Sequence, residues 1–157
     1  MSLRRKFPTV PIEEVPVNGS SSTEGARRPV LLVVDDESVI ADTLAEILTR
    51  SGYAAMPAYD GEEALETALL MPPELLLTDV VLPGMSGIEL AVKVKRIFPD
   101  CKILLFSGQA ATTDLLASAT MAGHRFELLN KPVHPQDLLR HVSASLQPRR
   151  AHTATMA

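Results

Sequence analysis

Residues 30–39 read VLLVVDDESV, and this stretch decides the fold. Five branched or aliphatic residues run without a polar interruption, as in a strand buried on both faces of a parallel sheet. They end on two adjacent aspartates, Asp35 and Asp36, with Glu37 behind them. Neighbouring carboxylates repel and are costly to desolvate, so the end of this strand calls for a positive partner.

Outward from that strand, short apolar runs alternate with helical periodicity. Strands are expected at 30–34, 53–56, 75–78, 103–106 and 126–129. Ile40, Leu44, Ile47 and Leu48 keep one helix face, with Gly52 as the stop. In DGEEALETALLM, Asp60 is a natural cap, and Pro72 follows as a breaker. A third helix is expected from about Ser86 to Phe98, a fourth over 112–122, and a fifth from Pro135 carrying Leu138, Leu139, Val142 and Leu146. Five βα units imply an α/β fold. They are too few for an eight-fold barrel, so the expectation is an open, doubly wound, five-stranded parallel sheet. Its order is 2-1-3-4-5, helices cover both faces, and a crevice lies where strands one and three adjoin.

At the carboxyl ends of those strands stand Asp35-Asp36, Asp79, Ser107 and Lys131-Pro132. Three carboxylates, a hydroxyl and an ammonium then face one crevice. Carboxylate oxygens without thiols or imidazoles suit a hard cation such as Mg²⁺, which together with Lys131 balances the three negative charges.

Composition bounds the rest. The chain has 157 residues, 46% hydrophobic but only 4% aromatic, so its core is aliphatic. Residues 1–29 (Pro, Ser, Thr and charge) read as a disordered tail, 30–147 as the single domain, and 148–157 as a flexible tail. The central part is acidic, which disfavours nucleic-acid binding, and no DNA-binding domain is expected. No apolar run suits a signal peptide or a membrane span, so a cytoplasmic protein is expected. One cysteine, Cys101, excludes an intramolecular disulfide. His124, His134, His141 and His152 lack metal spacing and read as surface residues, with His134 and His141 able to share a face of the last helix.

The motifs VVDDE, LLTDVVLPGMSGIEL, ILLFSG and LLNKPV, in this order, closely resemble the receiver domain of response regulators (CheY-like, with a flavodoxin-like fold) over about residues 30–147. The resemblance implies that Asp79 accepts a phosphoryl group from a sensor histidine kinase or phosphotransfer protein of a two-component phosphorelay. It implies Asp36 as a direct Mg²⁺ ligand, Asp35 as its companion acting through water, and the Val81 carbonyl as a further ligand. Ser107 and Lys131 would contact the phosphoryl group, and the Lys131–Pro132 bond is often cis in the family. Pro83 and Gly87 would shape the turn before the third helix. With no effector attached, the chain reads as a stand-alone response regulator rather than an enzyme. It would dock an unknown downstream target, through the fourth helix, fifth strand and fifth helix.

Two positions depart from the family pattern. Three residues before Lys131, where an aromatic usually changes rotamer, stands Leu128. Phe126 lies two residues earlier on the same strand face, and reads either as plain core or as a displaced switch. Val81 replaces a residue that is often polar, which predicts an altered autodephosphorylation rate of unspecified sign. A haloacid dehalogenase-type phosphatase fits less well, because only Glu37 two residues after Asp35 and an isolated Asp137 match its further acids. A flavin-binding protein fits less well because DDESV sets negative charge where a phosphate would lie.

Overall fold

The computed structural model describes residues 27–108, 123 and 126–147. The chain runs β1 (Val30–Val34), α1 (Ser38–Arg50), β2 (Ala54–Ala58), α2 (Gly61–Leu70), β3 (Leu75–Asp79), α3 (Gly87–Ile97), β4 (Lys102–Ser107), β5 (Glu127–Asn130) and α4 (Pro135–Leu146). The strands form one parallel sheet in the order β2-β1-β3-β4-β5. This is the doubly wound order expected. The expected fourth helix, most of the N-terminal tail and the tail after 147 lie outside the described residues.

Alternation along each strand divides the core into two layers. Leu32, Val34, Leu76, Ile103 and Leu105 face α2 and α3, packing against Ala64, Ala68, Leu90 and Val94. Leu31, Val33, Leu75, Leu77, Leu104 and Phe106 face the other way, against Leu44 and Leu48 of α1 and Leu138 and Val142 of α4. β1 and β3 are covered on both sides, which is why they read as unbroken apolar runs. Small residues on α2 let that helix approach the sheet closely, and the aliphatic core needs few aromatics.

The helix starts follow local chemistry. Asp60 Oδ1 accepts from the Glu63 N–H at 2.8 Å and caps α2. Ser86 and Glu89 exchange hydrogen bonds in a capping box at α3. His134 caps α4, its Nδ1 accepting from the Gln136 N–H at 3.2 Å, with Pro135 in the first turn. His134 therefore precedes the helix instead of sharing a face with His141, whose ring contacts Glu127 on β5.

Element ends differ modestly from the sequence expectation. β2 runs on to Ala58 through Pro57, because β2 is an edge strand where a missing N–H is tolerated. β5 begins at Glu127, so Phe126 lies just before the strand. Of the expected tail, residues 27–29 are described: Arg27 pairs with Glu74 at 2.8 Å, and the Pro29 carbonyl accepts from the Ala54 N–H.

Candidate functional site

Strand register assembles the site. Val34 is level with Thr78 across β1 and β3, so Asp35 and Asp79 emerge side by side one residue later. Asp79 is level with Phe106, so Ser107 ends β4 just above it. Ser107 is level with Asn130, and Lys131 follows. Four strand ends thus deliver their polar residues to one crevice, as the alternating pattern implied.

Lys131 is the centre of this crevice. Its Nζ donates to Asp35 Oδ2 and to Asp79 Oδ2, each at 3.0 Å. It also lies 5.0 Å from the centroid of the Phe106 ring, a cation–π distance. The Lys131–Pro132 peptide bond is cis. The lysine is thus a positive partner of Asp35, the buried acid at the end of β1. Asp35 is fully buried, and its Oδ1 accepts from the Glu37 N–H at 2.8 Å. Asp79 is 7% exposed, and its Oδ1 accepts from the Val81 N–H at 3.2 Å. Asp36 is exposed. Ser107 is buried, and its carbonyl accepts from the Lys131 N–H.

Burial pushes the Asp79 carboxyl above the usual carboxylate range, and the Asp35 charge adds to this. The hydrogen bond and charge of Lys131 and the Val81 N–H counteract them without reversing the direction. Burial pulls the Lys131 ammonium down, but its bonds to Asp79 and Asp35 outweigh that and leave its pKa raised. Both partners therefore move upward: the acid because it is desolvated, the base because two acids hold it. One ammonium shared between two buried acids, with Asp36 beside them, leaves the crevice short of positive charge.

Asp35, Asp36 and Asp79 each offer a carboxylate oxygen, and the three oxygens lie within 4.8 Å of one another. This set of hard donors, two buried and one open to solvent, fits a small divalent cation. The Val81 side chain is 45% exposed at the rim. Phe126 and Leu128 are partly buried and pack against the core layer shared with α2 and α3, on the face the alternation assigned to them.

Two determinants are not legible in the sequence. Gly87 had been expected to shape a turn, but the positive φ in that loop belongs to Gly84, at 76°. A Cβ on Gly87 would stand 1.9 Å from the Asp79 carbonyl oxygen. Glycine is required there because α3 starts against the backbone of Asp79, a close approach that a linear motif does not reveal. Phe106, which supports Lys131, was likewise read only as a strand residue.

Cys101 directly precedes β4, at the opposite end of the sheet. It is buried, and burial pushes its thiol up to about 11. It is no candidate nucleophile.

A family model described as the response regulator receiver domain matches residues 31–143. The chain is 34% identical over 116 residues to the response regulator receiver protein CpdR of Brucella abortus, a match covering 74% of this chain and 95% of that protein. It is also 34% identical over 120 residues to the alkaline phosphatase synthesis transcriptional regulatory protein PhoP of Bacillus subtilis. That match covers 74% of this chain but 48% of PhoP, so the chain spans about half the length of that relative. Among solved structures, a CheY-like receiver domain protein from Methanospirillum hungatei superposes with a TM-score of 0.70 at 31% identity, over 76% of this chain and 94% of that one. No described helix is long and apolar enough to cross a membrane.

Proposed function

The chain belongs to the response regulator receiver family, and on that premise we propose that it is a stand-alone, cytoplasmic phosphoacceptor switch. Residues 30–147 form the receiver domain, with a tail on either side. Asp79 accepts the phosphoryl group of a phosphohistidine on a sensor histidine kinase or phosphotransfer protein. The carboxylate oxygen of Asp79 forms the new O–P bond as the N–P bond to histidine breaks, and the imidazole leaves with the electron pair.

The observation that carries this reading is the double hydrogen bond of Lys131. One ammonium reaches both Asp35 and Asp79 at 3.0 Å, so it orients the acceptor beforehand and stands ready to neutralise phosphoryl oxygens. Asp35, Asp36, Asp79 and the Val81 carbonyl would hold Mg²⁺; when bound, it supplies further charge neutralisation to the phosphoryl oxygens. The Val81 N–H fixes the orientation of the Asp79 carboxylate. Burial of Asp79 restricts water at the acyl phosphate, and the exposed Val81 side chain sets how far water reaches it.

The adduct brings negative charge and three acceptor oxygens to the end of β4. The Ser107 hydroxyl donates a hydrogen bond to one of them, and that inward movement biases a two-state surface that a downstream protein reads. Leu128, level with Leu105 on β4, and Phe126, just before β5, pack against the core layer shared with α2 and α3 and are the side chains through which the change would pass.

The test is incubation with a small phosphodonor and Mg²⁺, followed by intact mass. A single phosphoryl adduct is expected, absent without Mg²⁺ and in Asp79→Asn. Retention of the adduct in Asp79→Asn overturns the reading, as does multiple turnover of phosphate esters that depends on Asp35.

A further inference from the structure

At the end of the sheet remote from Lys131 lies a groove of about 480 Å³ that phosphoryl transfer does not use. Its walls are the two connections that enter β3 and β4: Pro72, Pro73 and Glu74 on one side, Ile97, Phe98 and Pro99 on the other. Lys102 and Asp100 stand within it. Ile97 is 46% exposed there, and Leu69, Leu70 and Met71, at the end of α2 leading to the same wall, are also exposed. Of the six exposed large hydrophobic side chains among the described residues, Ile97 lines the groove, and Leu69, Leu70 and Met71 directly precede its Pro72 wall in the chain. Apolar surface collected in one place marks a docking site.

The chain itself supplies an occupant. Arg27 is fastened to Glu74 by two hydrogen bonds, at 2.8 and 3.3 Å, and the Val30 N–H donates to the same carboxylate. Glu74 lines the groove, so residues 1–26 join the domain at its rim. Within them, FPTVPIEEVPV (Phe7–Val17) sets Phe7, Val10, Ile12, Val15 and Val17 among prolines. We propose that Phe7–Val17 of this chain seats in the groove between the β3 and β4 entrances, apolar side chains against Pro73, Ile97 and Phe98, and Glu13 and Glu14 toward Lys102.

The tether makes this feasible for a segment too short to bury its apolar side chains on its own. From Val17 to Arg27 the chain can span up to roughly 33 Å when extended, enough to cover a groove that begins at Arg27's own partner. A tether of this length gives an effective concentration of order mM, so even a weak contact stays populated. Proline-rich chain loses little entropy on ordering against a surface. The proposal is independent of the phosphoryl-transfer reading, since the groove and the crevice lie at opposite ends of the strands.

The experiment compares backbone amide spectra of the full chain with two variants. Val10, Ile12, Val15 and Val17 replaced together by Ser should shift the amides of Ile97, Phe98 and Lys102 and leave those of the crevice in place. Reciprocally, Ile97→Glu should shift the amides of residues 10–17. Either variant leaving its reporters unmoved overturns the proposal. So does a shift that disappears on dilution, which would assign the groove to a second copy of the chain.

Discussion

The two ends of this sheet are built from the same strands and have opposite chemistry. At the carboxyl ends, charged groups are buried and satisfied by one another: Lys131 on Asp35 and Asp79, with N–H groups of Glu37 and Val81 behind them. At the amino ends, large apolar side chains of the described domain are exposed, on Leu70, Met71 and Ile97, near prolines. Parallel pairing is the reason the first end concentrates chemistry, because every strand delivers its last residue to the same side. The second end receives helix C-termini and connections, which leave little reason for charge to converge. Buried, mutually dependent polar groups are costly to disturb, whereas exposed apolar groups are not, so the two ends should respond very differently to substitution.

The largest effect is expected at the backbone of the crevice. Gly87→Ala places a Cβ 1.9 Å from the Asp79 carbonyl oxygen, with Val80 Cα 3.0 Å away on the same side. Neither neighbour is a flexible side-chain tip, so α3 or the end of β3 must move. Overpacking typically costs about 1–3 kcal/mol, and an approach this short against backbone belongs at the upper end of that range. The denaturation midpoint should fall with an unchanged m-value, and phosphoryl uptake by Asp79 should fall with it. A midpoint within error of the parent would mean that α3 is not wedged against the acceptor strand.

Lys131→Met comes next. It removes the ammonium from two acids, one of them fully buried, and leaves their charge uncompensated. Breaking a fully buried pair typically costs 3–5 kcal/mol; the lysine side chain is 24% exposed here, so about 2 kcal/mol is expected. Because the three carboxylates remain, Mg²⁺ should stabilise the variant more than it stabilises the parent, which thermal unfolding with and without the ion measures. Equal stabilisation of the two would separate the lysine from the cation site.

How much of this was legible in the sequence follows from the same contrast. Strand ends could be read because period and polarity change abruptly there: VLLVV into DD, ELLLT into D, ILLF into S. Once the order 2-1-3-4-5 was inferred, the crevice followed from topology alone. The cap at Asp60 was visible because its hydrogen bond is local, spanning three residues, whereas Ser86 was legible only as the approximate start of a helix. The contact of Gly87 with the Asp79 backbone and the support of Lys131 by Phe106 depend on tertiary distance, and linear spacing carries no trace of them. The extension of β2 through Pro57 was hidden for a related reason: proline reads as a breaker until the strand is known to lie on an edge. The groove between the β3 and β4 entrances is likewise made by two segments about 25 residues apart, neither of them distinctive alone.

The smallest effect is expected at the apolar end, and it is the sharper test because intuition about hydrophobic residues points the other way. Leu70 closes α2 and is 82% exposed, so its side chain keeps most of its contact with water when the protein folds. Leu70→Ser therefore forfeits little burial, and the loss of helix propensity at a terminal position is a few tenths of a kcal/mol. A stability change within about 0.5 kcal/mol is expected, with phosphoryl uptake unaltered. A loss near 2 kcal/mol would show that Leu70 is covered in the full chain. The apolar end would then be a second packed region, and its contrast with the crevice would lie in what covers it instead of in how much it is exposed.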